Sequence, residues 1–404
     1  MLTGKWQRPP LFVLKYYAYR ATVTFGFFWP VFTIFLLDRG LSYTQIGLLN
    51  SLSAGIIVIG EIPSGYIGDR IGRRNSILVG SGLLSVSLIG FTVVKTFLAF
   101  AVLWVFWGLG SAFQSGSDDA WLYEALEDRS DESQYTRIRG RGGSVNQWMT
   151  AGTTLVAGGL YSLNPRLPFL AGGLLVASSI PVLLSLPKAG ENETEDDRFT
   201  VLDALPVLRR RLTQPPLRSF VVYMALFFGI ISAADEFIQP IATQALFLSP
   251  TGLGPLYAGF TVTAAIASYF AGDIEKLLST QWAILLVPTL VGVFFIVPLL
   301  APLAAFPLFF VMKSANVVVR PIATNYINRH AESVGRATIL SAASMAYALV
   351  RLPMKPLSGV VADATTPIAA VAALGGVFLL GGTIVVLWET PVSDIRGKVS
   401  ESTD

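Results

Sequence analysis

Residues 65–74 read Gly-Tyr-Ile-Gly-Asp-Arg-Ile-Gly-Arg-Arg, set between two long apolar stretches, 44–68 and 75–94. Gly65 and Gly68 let helices approach closely, as small residues do where lipid replaces water. Asp69 can accept charge-assisted hydrogen bonds. Its expected partners are Arg73, or backbone donors at the positive amino-terminal end of a helix starting near Gly335 and Arg336. Arg70, Arg73 and Arg74 have a second reading, as anchors at phospholipid headgroups. A short loop of this charge stays on the cytoplasmic side of a membrane.

The rest of the chain repeats the apolar pattern. Of 404 residues, 53% are hydrophobic and 14% charged, where a soluble domain carries roughly a quarter charged residues. Stretches close to the roughly 20 residues needed to cross hydrocarbon as helix fall at 11–37, 44–68, 75–94, 97–125, 142–163 and 167–186. Six more follow at 218–244, 254–272, 280–301, 303–327, 336–361 and 367–388. The sequence therefore predicts an all-α membrane protein with twelve transmembrane helices in two pseudo-symmetric six-helix bundles. The bundles take 1–186 and 218–390, joined by a linker at 187–217 and followed by a tail at 391–404.

Lysine and arginine set the orientation. Outer loops hold only Arg39, Lys95 and Arg166, the interiors of the spans hold six more, and the inner segments, with Arg218 and Arg336 at the span edges counted to them, hold the remaining 20 of 29. Both termini are thus expected in the cytoplasm, in a multi-pass protein of the cell (plasma or inner) membrane. The halves echo each other: Tyr66-Ile67-Gly68-Asp69 ends one span and Phe270-Ala271-Gly272-Asp273 ends its counterpart. Gly140-Arg141 and Gly335-Arg336 precede another matching pair.

Gly65, Gly68, Asp69, Arg70, Gly72, Arg73 and Arg74, in that place and order, resemble the signature loop of the major facilitator superfamily, and the six-plus-six layout agrees. The resemblance implies secondary transport by alternating access, with these residues as a gating motif and Asp69 as a latch in the outward-facing state. Drug-proton antiporters of that superfamily carry an arginine four residues before a Gly-x-Gly pair, where this chain has Trp104 before Gly108-Leu109-Gly110. The Gly-Pro of their fifth span is also missing from Thr154–Gly159.

Ionisable residues inside the spans cost roughly 2.5–3.5 kcal/mol each on insertion scales, so they are expected to face a polar interior. By helical rise, Arg20 and Asp118 fall at one depth and can meet, with Lys15, Glu61 and Asp119 nearby. Asp235, Glu236, Lys313 and Arg351 form a second group at another level, edged by Arg320 and Lys355. Substrate-binding candidates are Arg20, Gln114, Lys313 and Arg351; proton-coupling candidates are Asp118, Asp119, Asp235 and Glu236. Internal salt bridges that fix packing are the competing role. Six cations deep in the spans, against at least five acids, are read as suiting an anionic substrate.

The expected activity is secondary active transport of a small polar or amphipathic organic solute, driven by a proton gradient. A facilitated uniporter or an efflux pump is the alternative, and a non-transporting sensor the remote third. The chain has no cysteine and a single histidine, His330, in a polar stretch between spans. It also lacks a Gly-x-Ser-x-Gly elbow, so neither an enzyme, a metal site nor a cofactor is expected. Partners are the solute, protons or another coupling ion, and membrane lipids, with no nucleic acid; a monomer is expected.

Overall fold

In hydrocarbon every backbone N–H and C=O must find its partner within the segment, which is why apolar stretches of this length become helices. The computed structural model describes residues 9–129, 132–189, 215, 217–330 and 336–392, without the side chains of Glu61, Ile62, Asp69, Glu132, residues 336–338 and Ser341. No strand occurs among the described residues. Most of the predicted linker and tail, Gly335, and the side chains of Asp69, Glu61 and Arg336 lie outside the description.

The first helices are α1 (Leu11–Thr22), α2 (Phe32–Asp38), α3 (Tyr43–Ile71), α4 (Arg73–Phe91) and α5 (Phe97–Gln114). Next come α6 (Ser117–Glu127), α7 (Tyr135–Leu163), α8 (Leu167–Ala177) and α9 (Ser179–Leu184). After the predicted linker follow α10 (Leu217–Ala234), α11 (Pro250–Tyr269), α12 (Ala271–Ile296, two helical segments that meet at a kink at Ser279, φ 63°), α13 (Ala305–His330), α14 (Arg336–Ala364) and α15 (Pro367–Trp388). Among the described residues, eight helical runs are long and apolar enough to cross a membrane, so the protein is an all-α, multi-pass membrane protein. The other predicted stretches are broken or diluted: α1 is 12 residues long and carries Lys15 and Arg20, and α14 carries Arg351 and Lys355.

Several predicted stretches are not single helices, and the breaks fall beside charge. The stretch from Leu11 opens into non-helical backbone after Thr22, two residues past Arg20. The fourth breaks at Ser115–Gly116, where Gly116 takes a left-handed φ of 73° just before Asp118. The seventh tightens into a 3₁₀ turn at Asp235–Phe237 and widens into a π turn at Ile241–Ala245. His330, read from sequence as a loop residue, instead closes α13, its Nδ1 2.9 Å from the Tyr326 carbonyl.

The described chain gathers into two compact units. One takes the described residues of Met1–Phe35, Leu52–Glu195 and Pro250–Pro255; the other takes those of Leu36–Ser51, Asp196–Ser249 and Leu256–Asp404. In the first, α4 packs on α5 so closely that a Cβ on Gly80 would sit 2.7 Å from the Gly110 carbonyl. Phe28, Phe32, Phe91, Trp104 and Phe169 fill one part of this unit, with Phe32 and Trp104 stacked at 5.3 Å. In the second, α10 packs on α14, and α12 on α13 and α15. The amino-terminal turns of α3 belong to this second unit, where Gly47 abuts the Lys355 carbonyl and Gly359 abuts Tyr43 and Thr44.

Candidate functional site in the second unit

A cavity of about 390 Å³ opens within the second unit. Its walls include Asp235, Lys313, Asn316, Arg320, Tyr347 and Arg351, with Phe228, Ile231, Ser232, Ser344 and Ala348 between them. Helices α10, α13 and α14 thus each supply charge or polar groups to one space. Asp235 lies where α10 gives way to the 3₁₀ turn, and its carboxylate is ion-paired with the Lys313 ammonium. Lys313 also lies 5.9 Å from the centre of the buried Tyr257 ring.

The two arginines are treated differently by their surroundings. Among the described residues, neither Arg320 nor Arg351 has a carboxylate within ion-pair distance. Arg320 lies over the Phe228 ring at 4.9 Å, a contact worth roughly 0.5–2 kcal/mol, which offsets only part of an intramembrane charge. The Arg351 Nε, the Asn316 Oδ1 and the Tyr347 hydroxyl are buried without a hydrogen-bond partner among the described residues. An unsatisfied buried group costs roughly 1–3 kcal/mol. Several such groups in the wall of one cavity leave hydrogen-bonding capacity unmet beside a space large enough for a small molecule.

Glu236, beside Asp235, turns to a different set of partners: the Lys355 ammonium and the Asn50 amide, which donates to it at 2.8 Å. On a helix, neighbouring side chains point about 100° apart, so adjacent acids serve different faces. Sequence reasoning had no signal for Asn50, one of several uncharged polar residues scattered through its stretch, nor for Asn316 and Tyr347.

The first unit holds its own charges. Arg20 Nη1 donates to Asp118 Oδ2 at 2.5 Å, and Asn146 donates to the Arg20 and Val23 carbonyls where α1 ends. Asp119 accepts both Nε and Nη2 of Arg139 at 2.6 Å each, a bidentate pair. Gln114 donates to Ser81 at 3.0 Å, and Lys15 to the Ser185 carbonyl at 2.8 Å. Of the four substrate-binding candidates, then, Lys313 and Arg351 line the cavity, while Arg20 and Gln114 have partners in the first unit.

In the loop motif, Gly72 takes a left-handed φ of 86° and turns the chain from α3 into α4. Gly68 lies against Ser76, whereas Gly65 faces open space. Arg73 pairs with the buried Glu124 at 3.2 Å, Arg74 donates to the Leu186 carbonyl at 2.9 Å, and Arg70 lies over the Tyr66 ring. Asp69, the expected latch, has its side chain outside the described residues.

Comparison with known proteins agrees with this architecture. The chain is 24% identical to an uncharacterized MFS-type transporter, YxaM, of Bacillus subtilis (strain 168), over 93% of this chain and 94% of that one. It is 26% identical to the enterobactin exporter EntS of Salmonella choleraesuis (strain SC-B67), over 64% of this chain and 61% of the exporter. The crystal structure of the nucleoside transporter NupG shares the fold with a TM-score of 0.75 at 10% identity, covering 93% of this chain and 97% of that one. A bacterial homologue of the human lysosomal transporter Spinster, inward-facing and occupied, matches at a TM-score of 0.66 and 15% identity, with 93% of both chains covered. The profile of the Major Facilitator Superfamily matches residues 21–354. This multi-pass protein is therefore a transporter rather than an enzyme, and it belongs to the Major Facilitator Superfamily.

Proposed function

We propose that the protein is a proton-coupled secondary active transporter, carrying a small polar or amphipathic organic solute across the cell membrane by alternating access. It crosses twelve times in two pseudo-symmetric six-helix bundles, 1–186 and 218–390, with the linker 187–217, the tail 391–404 and both termini in the cytoplasm. It works as a monomer in contact with lipid.

One observation carries the reading: the Asp235–Lys313 ion pair lies in the wall of a solute-sized cavity that also holds two arginines without carboxylate partners among the described residues. A proton taken up by Asp235 removes the attraction that holds Lys313 and frees its ammonium for the cavity. Proton binding and solute binding then alter each other, and linkage makes the effect reciprocal. Lys313 and Arg351 contact the solute. Asp118, Asp119 and Glu236 have cationic partners in Arg20, Arg139 and Lys355, so a proton gained by any of them also releases a partner.

Efflux is the second reading, favoured by the likeness to EntS, an exporter. The test for transport is solute-dependent movement of protons in proteoliposomes holding a pH-sensitive dye. A panel of small organic acids, bases and neutral compounds should include solutes that move protons saturably. Asp235→Asn should abolish that coupling while leaving solute exchange. A panel that moves neither solute nor protons, in protein that remains folded, counts against the transport reading.

A further inference from the structure

We infer that the cavity of the second unit selects an amphipathic organic anion, its carboxylate- or phosphate-class group held between Arg320 and Arg351 and its apolar body laid against Ile231 and the Phe228–Tyr347 rings. The inference rests on the transport reading of this cavity and adds the chemical class of the solute.

Charge is the first ground. Asp235 and Lys313 cancel, which leaves the guanidiniums of Arg320 and Arg351 as two positive charges in excess around one space. A cationic solute would add a third charge to them. A neutral solute would leave both unbalanced in a low-dielectric wall, where charges act on each other far more strongly than in water.

Hydrogen bonding is the second ground. Arg351 Nε and the Tyr347 hydroxyl are buried in that wall without an acceptor among the described residues, and a guanidinium has donors but no acceptor. Guanidinium forks match the two oxygens of a carboxylate or phosphate group. An oxyanion at this place satisfies several donors at once.

Shape is the third. Phe228 and Tyr347 lie 5.2 Å apart at an interplanar angle of 46°, and Ile231 continues the apolar wall. Arg320 sits over Phe228, so the charged and apolar parts of the wall adjoin. A molecule with an anionic end and a ring or aliphatic body fits both, whereas a bare inorganic ion leaves the apolar wall unused.

The test uses the purified full-length chain and three probes of matched shape: phthalate, neutral phthalamide and cationic benzyltrimethylammonium. Phthalate should raise the unfolding temperature in a saturable manner, since binding to the native state stabilises it, and the other two should not. Arg351→Gln and Arg320→Gln should each weaken phthalate binding by about tenfold or more, the loss of a charge-assisted contact. Arg351→Lys should restore part of it, and Arg166→Gln should bind as the parent does. Unfolding temperatures without probe establish that each variant is folded.

Equal stabilisation by the neutral or cationic probe, no stabilisation by phthalate, or phthalate binding unaltered in both glutamine variants overturns the inference. Proton movement driven by some non-anionic solute in proteoliposomes would then leave the transport reading standing by itself. Failure of every solute there removes that reading instead.

Discussion

The Asp363 carboxylate at the end of α14 caps the first turn of α3 through Thr44, accepting its backbone N–H at 2.9 Å and its hydroxyl at 2.6 Å. It also accepts the Tyr43 N–H at 2.8 Å. Ser42 and Gln45 complete the turn as a capping box, Gln45 Oε1 accepting from the Ser42 N–H and Ser42 Oγ from the Gln45 N–H. The first amide donors of the helix, which have no partner inside it, are thereby satisfied by a residue more than three hundred positions away.

Burial pushes the Asp363 carboxyl up, but the bonds from Thr44, Ser42 and Tyr43 together outweigh it and hold the group below the usual carboxylate range. A depressed folded value means the contact contributes in full at neutral and mildly acid pH. It is lost only as pH falls below the ordinary aspartate value, about 3.9, toward the depressed one. Hydrogen exchange at residues 43–46 should therefore be equally protected at pH 7 and pH 5 once corrected for intrinsic rates. Asp363→Asn should speed it on the order of fivefold, as the loss of a cap does. Unchanged protection in that variant would show that the capping box suffices without the carboxylate.

Arg20 and Asp118 make a pair whose side chains are only 24% and 20% exposed. Removing one partner leaves the other charged and poorly solvated, which costs more than the pair itself contributes. With that partial exposure, Asp118→Asn should destabilise the protein by about 2 kcal/mol. The double variant Arg20→Gln, Asp118→Asn should be more stable than Asp118→Asn alone. Additive losses in a thermal double-mutant cycle would mean the two groups are not coupled.

Helical rise places Arg20 and Asp118 at a common depth, and the structure pairs them; the same reasoning brings Asp235, Lys313 and Arg351 to one cavity wall. The partner of Asp119 escapes it because α7 begins at Tyr135, seven residues before the apolar stretch at 142. Arg139 therefore reads as a loop cation although it stands on a helix. Hydropathy marks where lipid begins, while the backbone ladder runs on into the headgroup region. Breaks such as Gly116 are hidden for a related reason: a glycine in an apolar run can pack two helices, as Gly110 does against Gly80, or turn the chain, as Gly116 does. Only the backbone conformation separates the two uses.

Gly158 and Gly159 are neighbours on α7 with opposite surroundings. A Cβ on Gly158 would lie 2.0 Å from the Pro250 carbonyl at the start of α11, and one on Gly159 would meet nothing within 4 Å. Backbone cannot yield as a side-chain tip does, so Gly158→Ala should destabilise by on the order of 1–3 kcal/mol. Gly159→Ala should be neutral or stabilising by up to about 1 kcal/mol, because alanine loses less entropy in a helix. Unfolding temperatures of the two single variants decide the matter. Similar shifts for both would sink the claim that α7 and α11 meet at Gly158.

The arginines of the loop motif should separate by what each one faces. Arg73, at the first position of α4, reaches Glu124 on α6, whose side chain is 9% exposed. Arg70 lies over Tyr66, itself more than half exposed, at 4.4 Å. A cation over an exposed ring contributes roughly 0.5–1 kcal/mol, whereas a charge opposite a buried carboxylate, once removed, leaves that carboxylate poorly compensated. Arg73→Ala should therefore lower stability by about 1–2 kcal/mol more than Arg70→Ala. Glu124→Gln in the Arg73→Ala background should recover part of the loss, because the buried charge that had faced Arg73 is then gone. If the two alanine variants unfold at the same temperature, the arginines act alike as headgroup anchors and the Glu124 contact contributes nothing beyond that.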